Sequence, residues 1–242
     1  MDNHAAPLAG RTVLVIGGAR GLGRGIAEAA ARAGAAVVVG ARDADRAAQV
    51  AATLPGATSA LIDIGDERSI AEAAATFDRL DHVVVTASAH HDVPVTGYQH
   101  DAVVRAFQAK VIGPMLVAKH LAPRLAPDGS ILLFSGVAAW NPSPGYTVMG
   151  VTNAAVAALA THLAVELAPV RVNAISPGIV DSGTWDTLGE GAKASFFAGA
   201  AGGTLVGRVG RTDDITEAAL WLLTAGYVSG ETIHVEGGAR HA

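Results

Sequence analysis

The stretch Thr12-Val-Leu-Val-Ile16, followed by Gly17-Gly-Ala-Arg20-Gly21-Leu22-Gly23, constrains this chain more than any other. A β-branched apolar run of that length reads as a buried strand, and small and apolar residues then recur at helical spacing to Ala33. Strand, glycine turn and helix in that order set backbone amides at a helix N-terminus. Glycines let the chain turn tightly and let phosphate oxygens approach those amides. In this context the turn is expected to hold a dinucleotide; the alternative is a tight turn without a ligand.

Ala36-Val-Val-Val-Gly40 reads as a second strand, and its end bears on which dinucleotide is held. A site that prefers NAD places an acid there for the ribose 2′-hydroxyl. This chain has Gly40-Ala41-Arg42 instead. Arg42, with Arg20 from the glycine turn, suits a 2′-phosphate, so NADP(H) is expected ahead of NAD(H). Alternatively Arg42 faces solvent at a helix start. Asp43 is placed to cap the next helix.

Further strands are read at Leu61-Ile-Asp63-Ile64, at Asp81-His-Val-Val-Val85-Thr86-Ala87-Ser88, at Ser130-Ile-Leu-Leu-Phe-Ser135, and near the end of the chain between Gly230 and Gly238. Helices open at Asp66-Glu-Arg-Ser and at Arg211-Thr-Asp-Asp, each with acids in its first turn. A longer helical pattern spans Asp101 to Leu125, with a bend expected at Pro114. Strands alternating with helices over 242 residues make an α/β chain, and one domain over 1–242 accommodates it.

A formal charge of −5 and no Lys/Arg stripe argue against a nucleic-acid surface. Without cysteine there are no disulfides, thiol nucleophiles or cysteine-bound metals, which fits a cytoplasmic protein. The start, Met1-Asp-Asn-His-Ala-Ala-Pro7, lacks the pattern of a signal peptide. No apolar run is expected to reach the roughly 20 residues that span a bilayer, so no membrane partner is expected. His90 and His91 are adjacent on a loop and make a poor metal chelate, so no metal is expected.

From end to end the chain resembles the short-chain dehydrogenase/reductase family. The spacing Gly17-x-x-x-Gly21-x-Gly23 is that family's, although Ile16 stands where it usually has Thr. The resemblance implies a single-domain Rossmann-type fold, a doubly wound parallel sheet of about seven strands with helices on both faces. It puts the Asp63 carboxylate near the adenine amino group, with Ile64 against the ring; a capping role is the other reading of Asp63. Of the family's usual Asn-Asn-Ala-Gly at Val85–Ser88 only Ala87 is retained. Pro177-Gly178-Ile179 resembles the clamp on the nicotinamide carboxamide, with Ser182 where Thr is usual. Asp181 to Gly207 corresponds to a mobile substrate lid, in which Trp185, together with Trp140, lines a partly apolar pocket or an interface. A homodimer or homotetramer is expected by the same resemblance.

The family's chemistry rests on a Ser, a Tyr, a Lys four residues after the Tyr, and an Asn in the preceding helix. The ungapped tail from Asn153 to Gly178 puts the Lys position on Asn153 and the Tyr position on Met149. The end of the fifth strand puts the Ser position on Gly136, and Gly113 sets the register that puts the Asn position on Lys110. Neither Met nor Gly gives a proton. Loss of a positioned acid costs about 10²–10⁴ in rate, and loss of an oxyanion donor costs a similar factor. Remaining candidates are Tyr146, three residues before Met149; His90 on the rim loop; and Lys110 with Asn153, if the two exchange an ammonium and an amide across facing helices. Ser135 is expected to face away. The structural alternatives are a packing role for Tyr146, a solvated rim for His90 and a relaxed site for the pair.

Three functions follow from this reading. The first is an NADP(H)-dependent oxidoreductase acting on a small carbonyl, imine or activated alkene with a non-standard proton donor. The second is an inactive NADP(H)-binding sensor or oligomer subunit. The third is a lyase or isomerase that uses the same pocket.

Overall fold

The first strand, β1 (Thr12–Ile16), is apolar on both faces, as suits the middle of a sheet covered on two sides. In a computed structural model of the chain, which describes residues 6–242, Val13 and Val15 enter one core and Leu14 and Ile16 the other. The rest of the chain runs α1 (Gly21–Arg32), β2 (Ala36–Ala41), α2 (Ala44–Ala51), β3 (Thr58–Leu61), α3 (Glu67–Ala75), β4 (Leu80–Val85), α4 (His100–Phe107), α5 (Gly113–Leu121), β5 (Leu125–Phe134), α6 (Thr147–Glu166), β6 (Arg171–Pro177), β7 (Val180–Asp181), α7 (Glu190–Gly202), β8 (Gly210–Arg211), α8 (Thr212–Thr224) and β9 (Thr232–Val235).

Seven strands pair in parallel in the order β3-β2-β1-β4-β5-β6-β9, and β7 pairs with β8 apart from them. Helices α1, α2 and α8 cover one face; α3, α5 and α6 cover the other. The order reverses between β1 and β4. A crevice opens at such a reversal, beyond the carboxyl ends of the strands. The fold is therefore the single-domain, doubly wound α/β architecture expected from the sequence.

The expected cap of α2 is present: Asp43 accepts from the Arg46 N–H at 3.0 Å. Asp66, at the expected start of α3, caps it by accepting from the Arg68 N–H at 2.9 Å. Asp214 accepts from the Arg211 N–H at 2.7 Å and is gripped by both terminal nitrogens of Arg208. That guanidinium holds the carboxyl down at about 2.

Several expectations need correction. β3 ends at Leu61, so Asp63 and Ile64 lie past the strand; Asp63 turns back to accept from the Gly65 N–H. β5 starts at Leu125, five residues before the apolar alternation at Ser130 makes it legible. The long helix is interrupted before Pro114, by a wide π turn over Gln108–Ile112. Proline has no N–H for the carbonyl four residues back, that of Lys110, and the chain widens there. An 18-residue window of α6 has a mean hydropathy of 1.6, so among the described residues one helix is long and apolar enough to cross a membrane, contrary to expectation. Its Val156, Leu159 and Ala160 are packed in the second core. Residues 1–5 of the stretch that lacks a signal pattern lie outside the described residues.

Candidate nucleotide and active site

The glycine turn follows β1 and leads into α1. Gly17 and Gly21 have φ of +88° and +53°, which favour glycine. A second constraint comes from Thr86, at the end of β4. Its N–H and hydroxyl both donate to the Ile16 carbonyl, at 2.9 and 3.1 Å, and tie the two strands at the crevice. A Cβ at Gly17 would stand 2.5 Å from the Thr86 hydroxyl. One at Gly23 would stand 2.6 Å from it and would meet the Gly17 carbonyl oxygen as well. These glycines are required by packing at the turn as well as by its shape.

Gly17 and Gly18 also donate to the Gly40 carbonyl, at 2.8 and 3.2 Å, which fixes the turn against β2. Arg20 is the N-cap of α1 and is exposed, as is Arg42 past β2. Neither guanidinium is engaged in an ion pair among the described residues. Leu22 is half-buried in the first turn of α1, packed against the first core. Ile64 is buried and packs against Gly113, where a Cβ would collide with it. Ala87 is half-buried against the second core. The turn and its two free arginines fit a phosphorylated dinucleotide, with helix amides toward its diphosphate.

On the other side of the crevice, Pro177 ends β6 and the Gly178 N–H donates to the Val235 carbonyl at 3.1 Å. Ile179 is half-buried, and its carbonyl accepts from the Gly210 N–H at 2.8 Å. Ser182 and Thr184 follow, and a Cβ at Gly21 would stand 3.7 Å from the Ser182 carbonyl and 3.8 Å from the Thr184 hydroxyl. The start of the segment expected to form a lid thus lies against the glycine turn, and α7 fills half of that segment. Trp185 packs on Phe196 at 4.6 Å between ring centroids. Lys193 bridges Asp181 at 2.7 Å and Asp186 at 2.6 Å. Trp140, the other candidate lining residue, stands edge-on to His234 at 4.4 Å.

At the centre, β5 delivers Ser135 and Gly136 to the start of α6. The Ser135 N–H donates to the Ile175 carbonyl at 2.8 Å. In a parallel ladder the next bond would run to the Ser135 carbonyl from residue 177. Residue 177 is proline and has no N–H to give. The ammonium of Lys110 takes that place: Nζ donates to the Ser135 carbonyl at 3.0 Å and to the Phe134 carbonyl at 2.8 Å. Lys110 is 6 % exposed and has no carboxylate partner among the described residues, and burial pushes its ammonium down to about 7. The wide turn over 108–112 carries it there.

Asn153 and Met149 are both buried on α6. The Asn153 carboxamide lies against Gly136, where a Cβ would stand 2.6 Å from Nδ2 and 3.2 Å from Cγ. Its Oδ1 is buried without a hydrogen-bond partner among the described residues. Ser135 turns toward α6, and its hydroxyl donates to the Asn153 carbonyl at 2.7 Å. Lys110 and Asn153 thus both converge on the Ser135–Gly136 peptide, but the ammonium is spent on strand carbonyls.

Tyr146 is the half-buried N-cap residue of α6, and its hydroxyl makes no hydrogen bond among the described residues. His90 is exposed, with Nδ1 3.1 Å from Asp92 Oδ2, and His91 accepts from the Gln99 N–H at 3.1 Å. No hydrogen bond joins Tyr146 or His90 to Lys110 or Asn153 among the described residues. Sequence reasoning missed the Lys110 link to the strand end. Its one signal was Pro177, in a position that calls for a donor.

Comparison with known proteins agrees with this fold. The family model described as Enoyl-(Acyl carrier protein) reductase matches residues 17–240. The chain is 31 % identical over 251 residues to the short-chain dehydrogenase/reductase ucsE of Acremonium sp, covering 95 % of each chain. It is 32 % identical over 246 residues to an uncharacterized oxidoreductase of Methylorubrum extorquens, covering 96 % of this chain and 99 % of the relative. A solved structure of a small-chain dehydrogenase in complex with NADPH superposes with a TM-score of 0.85 at 31 % identity, covering 96 % of this chain and 99 % of that one. A match of this extent, over the same fold, makes the chain a member of the short-chain dehydrogenase/reductase family of oxidoreductases.

Proposed function

We propose that this chain binds NADP(H) and reduces a small, partly apolar carbonyl, imine or activated alkene without the family's hydroxyl acid. The observation that carries the reading is the packing at Gly136. The Asn153 carboxamide fills the space that a side chain at 136 would need, while Met149 offers no proton. Arg20 and Arg42 would hold the 2′-phosphate, the first turn of α1 the diphosphate, and Pro177, Gly178 and Ile179 the nicotinamide amide. The coenzyme, when bound, supplies hydride at its nicotinamide ring. Asp63, beside the adenosine side, uses its carboxylate on the Gly65 N–H, which leaves Ile64 and Ala87 to supply apolar contact there.

Lys110, Asn153, Tyr146 and His90 remain the groups available for polar work, and the first two are already in contact with the Ser135–Gly136 peptide. A homodimer or homotetramer is the assembly proposed, supported by apolar residues left exposed on α4, α5 and α6: Val104, Met115, Val151 and Val165. A second reading is a non-catalytic NADP(H) sensor or oligomer subunit, favoured by the same lack of a hydroxyl at 136 and 149.

Fluorescence titration with NADPH tests the nucleotide site first. A panel of ketones, imines and enones, followed at the NADPH absorbance, then separates the readings. Binding without turnover of any acceptor selects the sensor; lack of binding removes both.

A further inference from the structure

The peptide between Ser135 and Gly136 has unusual company. Its carbonyl accepts from a buried ammonium, that of Lys110, at 3.0 Å. Its N–H, on Gly136, donates to no group among the described residues, although Gly136 is buried. The nearest unpartnered acceptor is Asn153 Oδ1, 3.4 Å from where a Cβ at Gly136 would stand, and it too makes no hydrogen bond among the described residues, so an N–H left without an acceptor here calls for an explanation. The hydroxyls nearby are already committed. Ser135 donates to the Asn153 carbonyl, and Thr152 donates to carbonyls of its own helix. A cation on a carbonyl oxygen polarises the amide and strengthens the N–H at its other end as a donor. Backbone N–H groups of this kind stabilise oxygen anions where no side chain does so.

We propose that the N–H of Gly136 is the oxyanion donor of this site and that Lys110 is the positioning residue that strengthens it. The ligands it takes are those whose oxygen carries negative charge, enolates and phenolates, in preference to cations. The absence of any carboxylate at Lys110 among the described residues acts in the same sense: an uncompensated buried cation repels an iminium and attracts an oxyanion. This inference rests on the proposed function only in placing Gly136 beside the acceptor.

The probe is 4-nitrophenol, whose colour reports its ionisation. The protein is titrated at about pH 6, with and without NADP⁺, alongside K110N and K110M. K110N puts a shorter, uncharged amide in place of the ammonium, and K110M keeps only bulk. The expected result is a shift of the bound probe toward phenolate by about tenfold or more in the wild type, lost in both variants. In wild-type protein the Gly136 amide proton should also move downfield in NMR spectra as the probe is added, a readout that needs no variant to fold. A probe that stays neutral or does not bind, a shift that survives in K110N and K110M, or an unmoved Gly136 amide overturns the proposal. Loss of NADPH binding with the phenolate shift intact would instead remove the proposed function and leave this inference standing.

Discussion

The Asn153 carboxamide and the α-carbon of Gly136 are in contact so close that a methyl group at 136 would stand 2.6 Å from Nδ2. The two residues are one packing unit, although 17 positions separate them in sequence. G136A should therefore destabilise by overpacking, by about 1–3 kcal/mol. N153A should restore most of that loss in the double variant, since it removes the obstructing amide. A urea-unfolding double-mutant cycle measures the coupling, and additive effects would show that the contact is not what fixes glycine at 136.

Lys110 predicts a pH dependence of stability. Burial lowers its ammonium from 10.5 to about 7 in the folded chain, while the unfolded chain keeps the ordinary value. Between those values the unfolded state binds more protons, so stability rises with pH across the window and the full penalty is present below it. The slope from this one group approaches about 1.4 kcal/mol per pH unit. Urea midpoints measured from pH 7 to 10 should rise in the wild type relative to K110M. Parallel profiles would mean that Lys110 is charged and at ease in both states.

The two exposed arginines should set coenzyme choice. R20A/R42A removes two charge-assisted contacts to a 2′-phosphate, each worth about 1.5–3 kcal/mol. NADPH should bind at least about tenfold more weakly while NADH is little changed. Equal loss for both coenzymes in a fluorescence titration would place the arginines elsewhere.

At Gly23 a Cβ meets the Gly17 carbonyl oxygen and the Thr86 hydroxyl, both fixed by the sheet. G23A is expected to lower the melting temperature and abolish NADPH binding together. T86V is close in shape and removes only one hydrogen bond, so it should cost about 1 kcal/mol and spare binding. Calorimetry of both variants with and without NADPH distinguishes a turn that must be glycine from one that merely is.

Helix α7, in the segment expected to form a lid, carries Gly199, and no atom of the described residues lies within 4 Å of where a Cβ there would stand. G199A should stabilise that helix by about 0.5–1 kcal/mol. Limited proteolysis should nick the lid more slowly in this variant. An unchanged rate would mean that α7 does not open by unfolding.

How much of this was legible beforehand follows from the range of the interactions. The strand, glycine turn and helix at Thr12–Arg32 were readable because periodicity and glycine spacing are local signals. The helix-starting acids Asp43 and Asp66 were readable for the same reason. The end of β3 was not, because Asp63 follows an apolar pair and leaves the sheet through a turn made by its own side chain. The break at 108–112 was misplaced because a proline's effect falls on the preceding turn. The apolar run of α6 is hard to read in the sequence because threonine, glycine, asparagine and histidine interrupt it. The tie between Lys110 and the end of β5 joins a helix to a strand 25 residues later. Only the register of β5 against β6 reveals it.

Pro177 leaves the Ser135 carbonyl without its ladder partner, and the turn between α4 and α5 supplies the donor instead. The residue at 110 is thereby conscripted as masonry. Replacing the proline with alanine would return the ladder its own backbone link and release a cationic arm into the crevice. A single ring in one strand therefore governs whether the neighbouring helix serves the scaffold or the ligand.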